Sequence, residues 1–305
     1  MKNISDTEAY TMYDFVFSKA LRSLSHVVGV KKITQPFWDR WRASNIGDET
    51  IFRFLDSVGT IDAWPIVGAK IAKEEIETFQ RKRATLCNHD VIVGLRRLSY
   101  ICNLAQWGTL PLNEYKIRTY QHCRDFYIEA ETLAFGGDYR RVEVPWRDKM
   151  LFGNLHIPPD QEGAVRPAPL VIVIHGIDGC KEEHLATELT LIDAGLSVLC
   201  IDGPGQAEAL LLDSVLWTDD FCTIVGKALD VVEGDACVDV NNVGIVGISI
   251  GGMWALKAAS GDRRIKALYD LGGPINTRAF ARLPFLIKTK LCQKRFESAE
   301  TSRDK

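Results

Sequence analysis

Ser249 stands in Gly247-Ile248-Ser249-Ile250-Gly251, and this G-x-S-x-G spacing is the strongest chemical signal in the sequence. Glycines two positions to either side permit a turn too tight for side chains, which leaves the serine hydroxyl raised and able to attack a carbonyl carbon. The hydroxyl is a weak nucleophile at neutral pH and needs a general base beside it. A bare G-x-S-x-G is also compatible with a glycine-rich turn in any α/β protein. What distinguishes the two readings is the flanking sequence. Val243, Ile245 and Val246 predict a short buried strand before the turn, and Met253, Trp254 and Leu256 begin a helix after it, so Val243 to Ala258 has the strand-turn-helix context of a nucleophile elbow.

A strand that ends in such a turn must belong to a sheet, and the second half of the chain supplies one. Tyr139 to Val144 alternates, Trp146-Arg147-Asp148-Lys149 predicts a turn, and Leu151 to Ile157 runs back as the second arm of a hairpin. After a proline-rich loop, Pro158 to Pro169, come continuous apolar runs at Leu170–Ile174, Leu196–Ile201 and Ile265–Leu271, each ending in a glycine-bearing loop. Strands buried on both faces and separated by helical segments predict a mostly parallel sheet, whose C-terminal edge is the ligand-binding side. Ser249 belongs to that edge.

The first half has a different texture. Ile71 to Arg83 mixes glutamates with lysines and arginines around Ile71, Ile76 and Phe79; Val91 to Trp107 carries Leu95, Leu98, Ile101 and Leu104 at helical spacing. Asn113 reads as the cap of a helix running to Leu133, closed by Gly136-Gly137. The expected organisation is a helical region over 1–135, a sheet domain over 136–287 and a polar tail over 288–305. Aromatic residues of the first part, among them Trp107 and Tyr120, are either pocket lining or ordinary core.

A net charge of −3 offers no general attraction for nucleic acid or anionic membrane, and no apolar run reaches the roughly 18 residues of a spanning helix. Met1 to Asp14 lacks a signal-peptide pattern, and the eight cysteines include no C-x-x-C pair, so a cytoplasmic protein with reduced thiols and no metal site is expected. The expected partner is a small-molecule substrate; a homodimer is compatible with the sequence.

The order hairpin, strand-His175-Gly176, strand-Asp202-Gly-Pro-Gly-Gln206, Gly247-x-Ser249-x-Gly251, strand-Gly272-Gly273-Pro274 resembles the α/β-hydrolase fold. The stretches His175-Gly-Ile-Asp-Gly-Cys-Lys-Glu-Glu183 and Asp202 to Gln206 are similar to one branch of it. That branch contains fermentation-respiration switch esterase relatives, 2,6-dihydroxypseudooxynicotine hydrolase and fungal hydrolases of polyketide pigment and secondary-metabolite pathways. His175 stands where the branch often has glycine. The resemblance implies a helical N-terminal lid, no cofactor, and hydrolysis of an ester, or of a carbon-carbon bond next to a ketone, in a small aromatic or polyketide substrate. Ser249 is then the nucleophile, the Ile250 N–H and that of Ile177 or Asp178 form the oxyanion hole, and His175, Glu182, Trp107 and Tyr120 are substrate-binding candidates. Lys181-Glu182-Glu183 is equally compatible with a solvated helix start, and Asp202 to Gln206 with a loop that shapes the pocket.

In this fold the acid and histidine partners follow the serine in chain order. The six histidines are 26, 89, 122, 156, 175 and 184, all before Ser249, and 34 residues follow Leu271, where two more strand-helix units need roughly 60. The sequence therefore predicts a sheet incomplete at its C-terminal end, a chain truncated relative to the family and an almost unactivated serine. The alternative function is an inactive paralogue that binds a ligand or partner.

Overall fold

The structure is a computed structural model and describes residues 22–44, 46–109, 112–159, 166–216, 218 and 220–273. The expected polar tail, 288–305, and residues 274–287 of the expected sheet domain lie outside the described residues. The chain divides into two compact units, Met1–Arg140 with Glu182–Leu189, and Arg141–Lys181 with Thr190–Lys305.

The first unit is helical. Its helices include α1 (Val30–Thr34), α2 (Trp38–Ala43), α3 (Asp48–Val58), α4 (Trp64–Arg83), α5 (Asn88–Trp107) and α6 (Glu114–Phe135). In α3 the buried residues are Ile51, Phe54, Leu55 and Val58, the i, i+3, i+4, i+7 stripe of a helix with one apolar face. Pro65 occupies the first turn of α4, where its missing N–H has no helical partner to lose. Asn113 caps α6 as its sequence position predicts, with Oδ1 accepting the Lys116 N–H at 3.0 Å. The segment Glu182–Leu189, which enters the next helix, α7 (Leu185–Asp193), completes this unit although it follows the third strand in the chain.

Among the described residues the second unit is built on six strands, β1 (Tyr139–Trp146), β2 (Lys149–His156), β3 (Ala168–Ile174), β4 (Ser197–Ile201), β5 (Val238–Ile248) and β6 (Ile265–Leu271), in the order β1-β2-β4-β3-β5-β6. β2 pairs antiparallel with β4, while β4, β3, β5 and β6 are mutually parallel. The central strands read as apolar runs because both faces are covered: Leu170, Ile172 and Ile174 on one side and Val171 and Val173 on the other are buried. The helices among the described residues that accompany the strands include a short α8 (Ala207–Leu211), α9 (Phe221–Val232) and α10 (Ile250–Gly261). Phe221 of α9 and Trp254 of α10 stack with ring centroids 4.4 Å apart and planes 6° apart, which ties the two helices together in the core. No helix among the described residues is long and apolar enough to cross a membrane.

Replacing the α6 cap tests whether the helical unit depends on local signals. Asn113→Ala is expected to lower stability by about 1 kcal/mol, and Asn113→Ser to recover most of it, in urea unfolding followed by circular dichroism. A loss near zero for both would show that the cap is redundant.

Candidate active site

The turn at Ser249 begins where β5 ends at the C-terminal edge of the parallel strands and α10 starts. Ser249 has φ 56° and ψ −126°, a region that side chains disfavour at a cost of about 1–3 kcal/mol. Its own amide and carbonyl hold it there: the Ser249 N–H donates to Leu271 O at 2.9 Å, and Ser249 O accepts the Gly252 N–H at 2.9 Å. The flanking glycines are required by close approach. A Cβ on Gly247 would lie 2.4 Å from Gly252 Cα, and one on Gly251 would lie 2.2 Å from the carbonyl oxygen of Ile174. The side chain of Ser249 is exposed. Ile250, as the first residue of α10, carries an N–H for which a helix has no internal acceptor.

The loop after β3 runs beside this turn: a Cβ on Gly176 would be 3.4 Å from Ser249 Cβ. Its conformation is set by His175 and Gln206. Gly176 O lies 2.9 Å from His175 Nδ1, accepts Gln206 Nε2 at 3.0 Å and accepts the Gly179 N–H at 3.5 Å. Gln206 Nε2 also donates to His175 O at 2.9 Å, while its Oε1 accepts the Gly203 N–H at 2.8 Å. In a trans peptide the C=O and the next N–H point in opposite directions, so fixing the Gly176 carbonyl fixes the Ile177 N–H away from Gln206. Asp178, the alternative donor, follows in the same turn and is half-buried.

His175 itself has no exposed surface, and both ring nitrogens are engaged, Nδ1 at Gly176 O and Nε2 at Asp202 Oδ1, 2.7 Å away. Asp202 is the centre of a buried network. Its Oδ1 also accepts the Lys181 N–H at 2.9 Å, its Oδ2 accepts Lys181 Nζ at 2.9 Å and the Glu208 N–H at 3.1 Å, and Lys181 Nζ reaches Glu208 Oε2 at 2.7 Å. Arg141 of β1 pairs with Glu208 from the other side. Burial alone would raise the Asp202 carboxyl; the Lys181 ammonium, and then His175, hold it well below its ordinary value of 3.8. Glu208 is likewise raised by burial but lowered overall by Lys181 and Arg141.

The run Lys181-Glu182-Glu183 is a correction to its reading as a solvated helix start: all three side chains are buried. Lys181 belongs to the sheet unit and the two glutamates to the helical one. There Tyr120 Oη donates to Glu182 Oε2 at 3.1 Å, so two substrate-binding candidates are bonded to each other. Glu183 pairs with Arg40 at 2.5 Å and accepts Asn103 Nδ2 at 2.9 Å. Glu188 accepts Tyr127 Oη at 3.3 Å, and burial pushes the Tyr127 phenol well above its ordinary value. Trp107 stands apart from this set, in an aromatic cluster with Phe37 at 4.7 Å and Trp41 at 5.4 Å between ring centroids. A polar cleft of about 580 Å³ in the helical unit, lined by Thr50, Arg53, Glu74, Glu75 and Arg97 among others, includes none of the site candidates. The residues that sequence reasoning missed are Lys181, Glu208 and Arg141; motif membership pointed to Lys181 and to Glu208, which closes Asp202-Gly-Pro-Gly-Gln-Ala-Glu208, and nothing pointed to Arg141.

No family model matches the chain. It is similar to Hydrolase LUC6 of Fusarium sp (31% identical over 150 residues, 47% of this chain and 36% of the relative). It is also similar to alpha/beta hydrolase gkaG of Penicillium citrinum (28% over 185 residues, 56% and 40%). A third relative is the 2,6-dihydropseudooxynicotine hydrolase of Paenarthrobacter nicotinovorans (30% over 107 residues, 35% and 29%). The matched chain thus spans well under half the length of these relatives. Among solved structures, 2,6-dihydroxy-pseudo-oxynicotine hydrolase superposes with a TM-score of 0.62 at 21% identity, over 75% of this chain and 62% of the other. AbyA5 superposes with a TM-score of 0.57 at 16% identity, over 76% and 60%.

The depressed carboxyls make a pH prediction. Asp202 and Glu208 contribute stability that is fully present above their ordinary values, 3.8 and 4.5, and is lost as pH falls below those values toward the folded ones. Asp202→Asn, which removes one of the two carboxylates beside the buried Lys181 ammonium and leaves Glu208 as the other, is expected to cost about 3 kcal/mol at pH 7 and to flatten the acid limb below about pH 4. Urea unfolding at pH 7 and between pH 2 and 5 measures both; an unchanged acid limb would remove Asp202 from the titration.

Proposed function

Because the chain has the α/β-hydrolase fold and is similar in sequence to proteins named hydrolases, we propose that it is a serine-nucleophile hydrolase built on Ser249. The observation that carries this reading is the disfavoured backbone of Ser249, held between a parallel strand and a helix N-terminus with its side chain exposed. A serine that served only to turn the chain would be replaced at lower cost by glycine, which adopts positive φ freely. In the proposed reaction Ser249 Oγ attacks the substrate carbonyl, and the oxyanion is received by the N–H groups of Ile250 and Ile177. The anchored Gly176 carbonyl favours Ile177 over Asp178 as the second donor. The substrate class follows the sequence resemblance: an ester, or a carbon-carbon bond next to a ketone, in a small aromatic or polyketide-type molecule.

The general base is a separate matter. Both nitrogens of His175, in the loop that runs beside the Ser249 turn, are committed to Asp202 and Gly176, so this histidine is part of the scaffold and does not serve as the base. With His175 so committed, a second reading is a ligand-binding paralogue in which the serine is retained without its activation. The two readings differ in rate. An oxyanion hole without a working base leaves roughly 10³–10⁴-fold catalysis over water in a serine protease.

A fluorophosphonate probe is expected to label the purified chain slowly, with all labelling lost in Ser249→Ala; hydrolysis of an activated aryl ester should fall to background in the same variant. Rapid stoichiometric labelling would establish an efficient base and discard the ligand-binding reading, whereas labelling that persists in Ser249→Ala would discard Ser249 as nucleophile. Gln206→Ala, which releases the Gly176 carbonyl, should lower kcat for the aryl ester by up to about 10²–10³-fold with little change in KM, as for loss of one oxyanion donor. A change confined to KM would assign Gln206 to substrate binding instead.

A further inference from the structure

β6 runs parallel to β5 in a register that sets Asp270 beside Gly247, the first glycine of the Ser249 turn, and Leu271 beside Ile248. Asp270 is half-buried, and its carboxylate occupies space that two other glycines leave open. A Cβ on Gly252, in the first turn of α10, would overlap Asp270 Oδ1, and one on Gly273 would lie 2.6 Å from the same oxygen and 2.8 Å from Ser249 O. Asp270 Oδ1 accepts the Gly273 N–H at 2.8 Å, which closes a turn over Gly272, where φ is 74°. Inside that turn the Leu271 carbonyl accepts the Ser249 N–H at 2.9 Å. Resting on the reading of Ser249 as nucleophile, we propose that Asp270 is a positioning residue for it: the carboxylate folds the loop after β6 into the shape that holds the Ser249 backbone in its strained conformation.

The argument is where the holds on Ser249 lead. A non-glycine residue at φ 56° persists only when its surroundings over-determine it. On one side the Ser249 N–H ends on Leu271 O; on the other Ser249 O accepts the Gly252 N–H and has Gly273 against it. Leu271 and Gly273 thus touch the serine from the same loop. That loop is weakly specified by its own residues, since Gly272 is exposed and a glycine adopts many conformations at little cost. The Asp270 carboxylate supplies the missing specification by tying Gly273 back to the strand end, three residues away. An apolar side chain at position 270 could pack there but could not accept the Gly273 N–H, whereas an asparagine amide has an acceptor oxygen in the same place. The approach of Gly252 and Gly273 to Oδ1 leaves no space for a longer acid. What position 270 requires is therefore a short side chain with one acceptor, and its service to Ser249 is geometric.

The test compares Asp270→Ala, Asp270→Asn and Ser249→Ala in the whole chain, by amide hydrogen exchange and by the rate of fluorophosphonate labelling. Asp270→Ala is expected to speed exchange of the Ser249 and Gly252 amides about tenfold or more, while the Ile245 and Val246 amides of β5 keep their rates. Labelling should slow by about 10–10²-fold in the same variant, the effect of a displaced reacting group. Asp270→Asn, which keeps the acceptor and loses the charge, should recover most of both. Exchange at Ser249 does not require the serine to react, so the two readings fail differently. Labelling that persists in Ser249→Ala would overturn the nucleophile and this role with it. Labelling lost in Ser249→Ala but unchanged in Asp270→Ala, with unchanged exchange, would overturn the role of Asp270 alone. Faster exchange throughout β5 would overturn it by showing a general loosening, and Asp270→Asn as impaired as Asp270→Ala would do so by showing that charge is what matters.

Discussion

A carboxylate cut off from water is stable only if donors surround it, and the loops around Ser249 depend on one that meets this condition. Asp202 leaves the end of β4 and takes two backbone N–H groups, from Lys181 and Glu208, together with the Lys181 ammonium and the ring of His175. The desolvation of such a cluster largely offsets its internal attraction, so it is a poor source of net stability. What it supplies is geometry. The loop after β3 and the loop after β4 can each take many shapes alone, but only one shape presents these donors to a single buried carboxylate. Glu208 and Arg141 extend the constraint to the first strand.

From this anchor the order propagates toward the serine by short steps. His175 and Gln206 hold the Gly176 peptide, whose plane sets the Ile177 N–H, and Gly176 in turn lies against the Ser249 turn. The strain at Ser249 is sustained by packing so close that a methyl group on Gly251 would enter the Ile174 carbonyl. Residues with no role in bond making thereby decide where donors and nucleophile stand.

The sheet was legible because its central strands are covered on both faces and so read as apolar runs, each ended by glycine; Ile265–Leu271 was bounded to the residue, although its reading as a strand buried on both faces is corrected, since only Ile265 of it is buried. The elbow was legible because glycine spacing encodes backbone geometry directly, and Asn113 because a cap is a local device. What could not be read was the environment of the charged motif residues. Lys181, Glu182 and Glu183 look like a solvated face, since burial of a charge depends on partners such as Asp202, Glu208, Tyr120 and Arg40 that are remote in sequence. The histidine count was legible, and so was a backbone contact for His175, since a histidine at a strand end commonly bonds the loop that follows; its second contact, to Asp202, was not.

The segment Glu182–Leu189 completes the helical unit from a distant place in the chain. Tyr120, Asn103 and Tyr127 find hydrogen-bond acceptors on Glu182, Glu183 and Glu188, which are synthesised after the third strand. At about 5–20 residues per second, the interval between Arg140 and Glu182 leaving the ribosome's catalytic centre is roughly 2 to 8 seconds. For that time the nascent helices hold three polar side chains whose acceptors do not yet exist. The helical unit is therefore not a detachable N-terminal module; in the growing polypeptide its interior closes only after part of the sheet has been made.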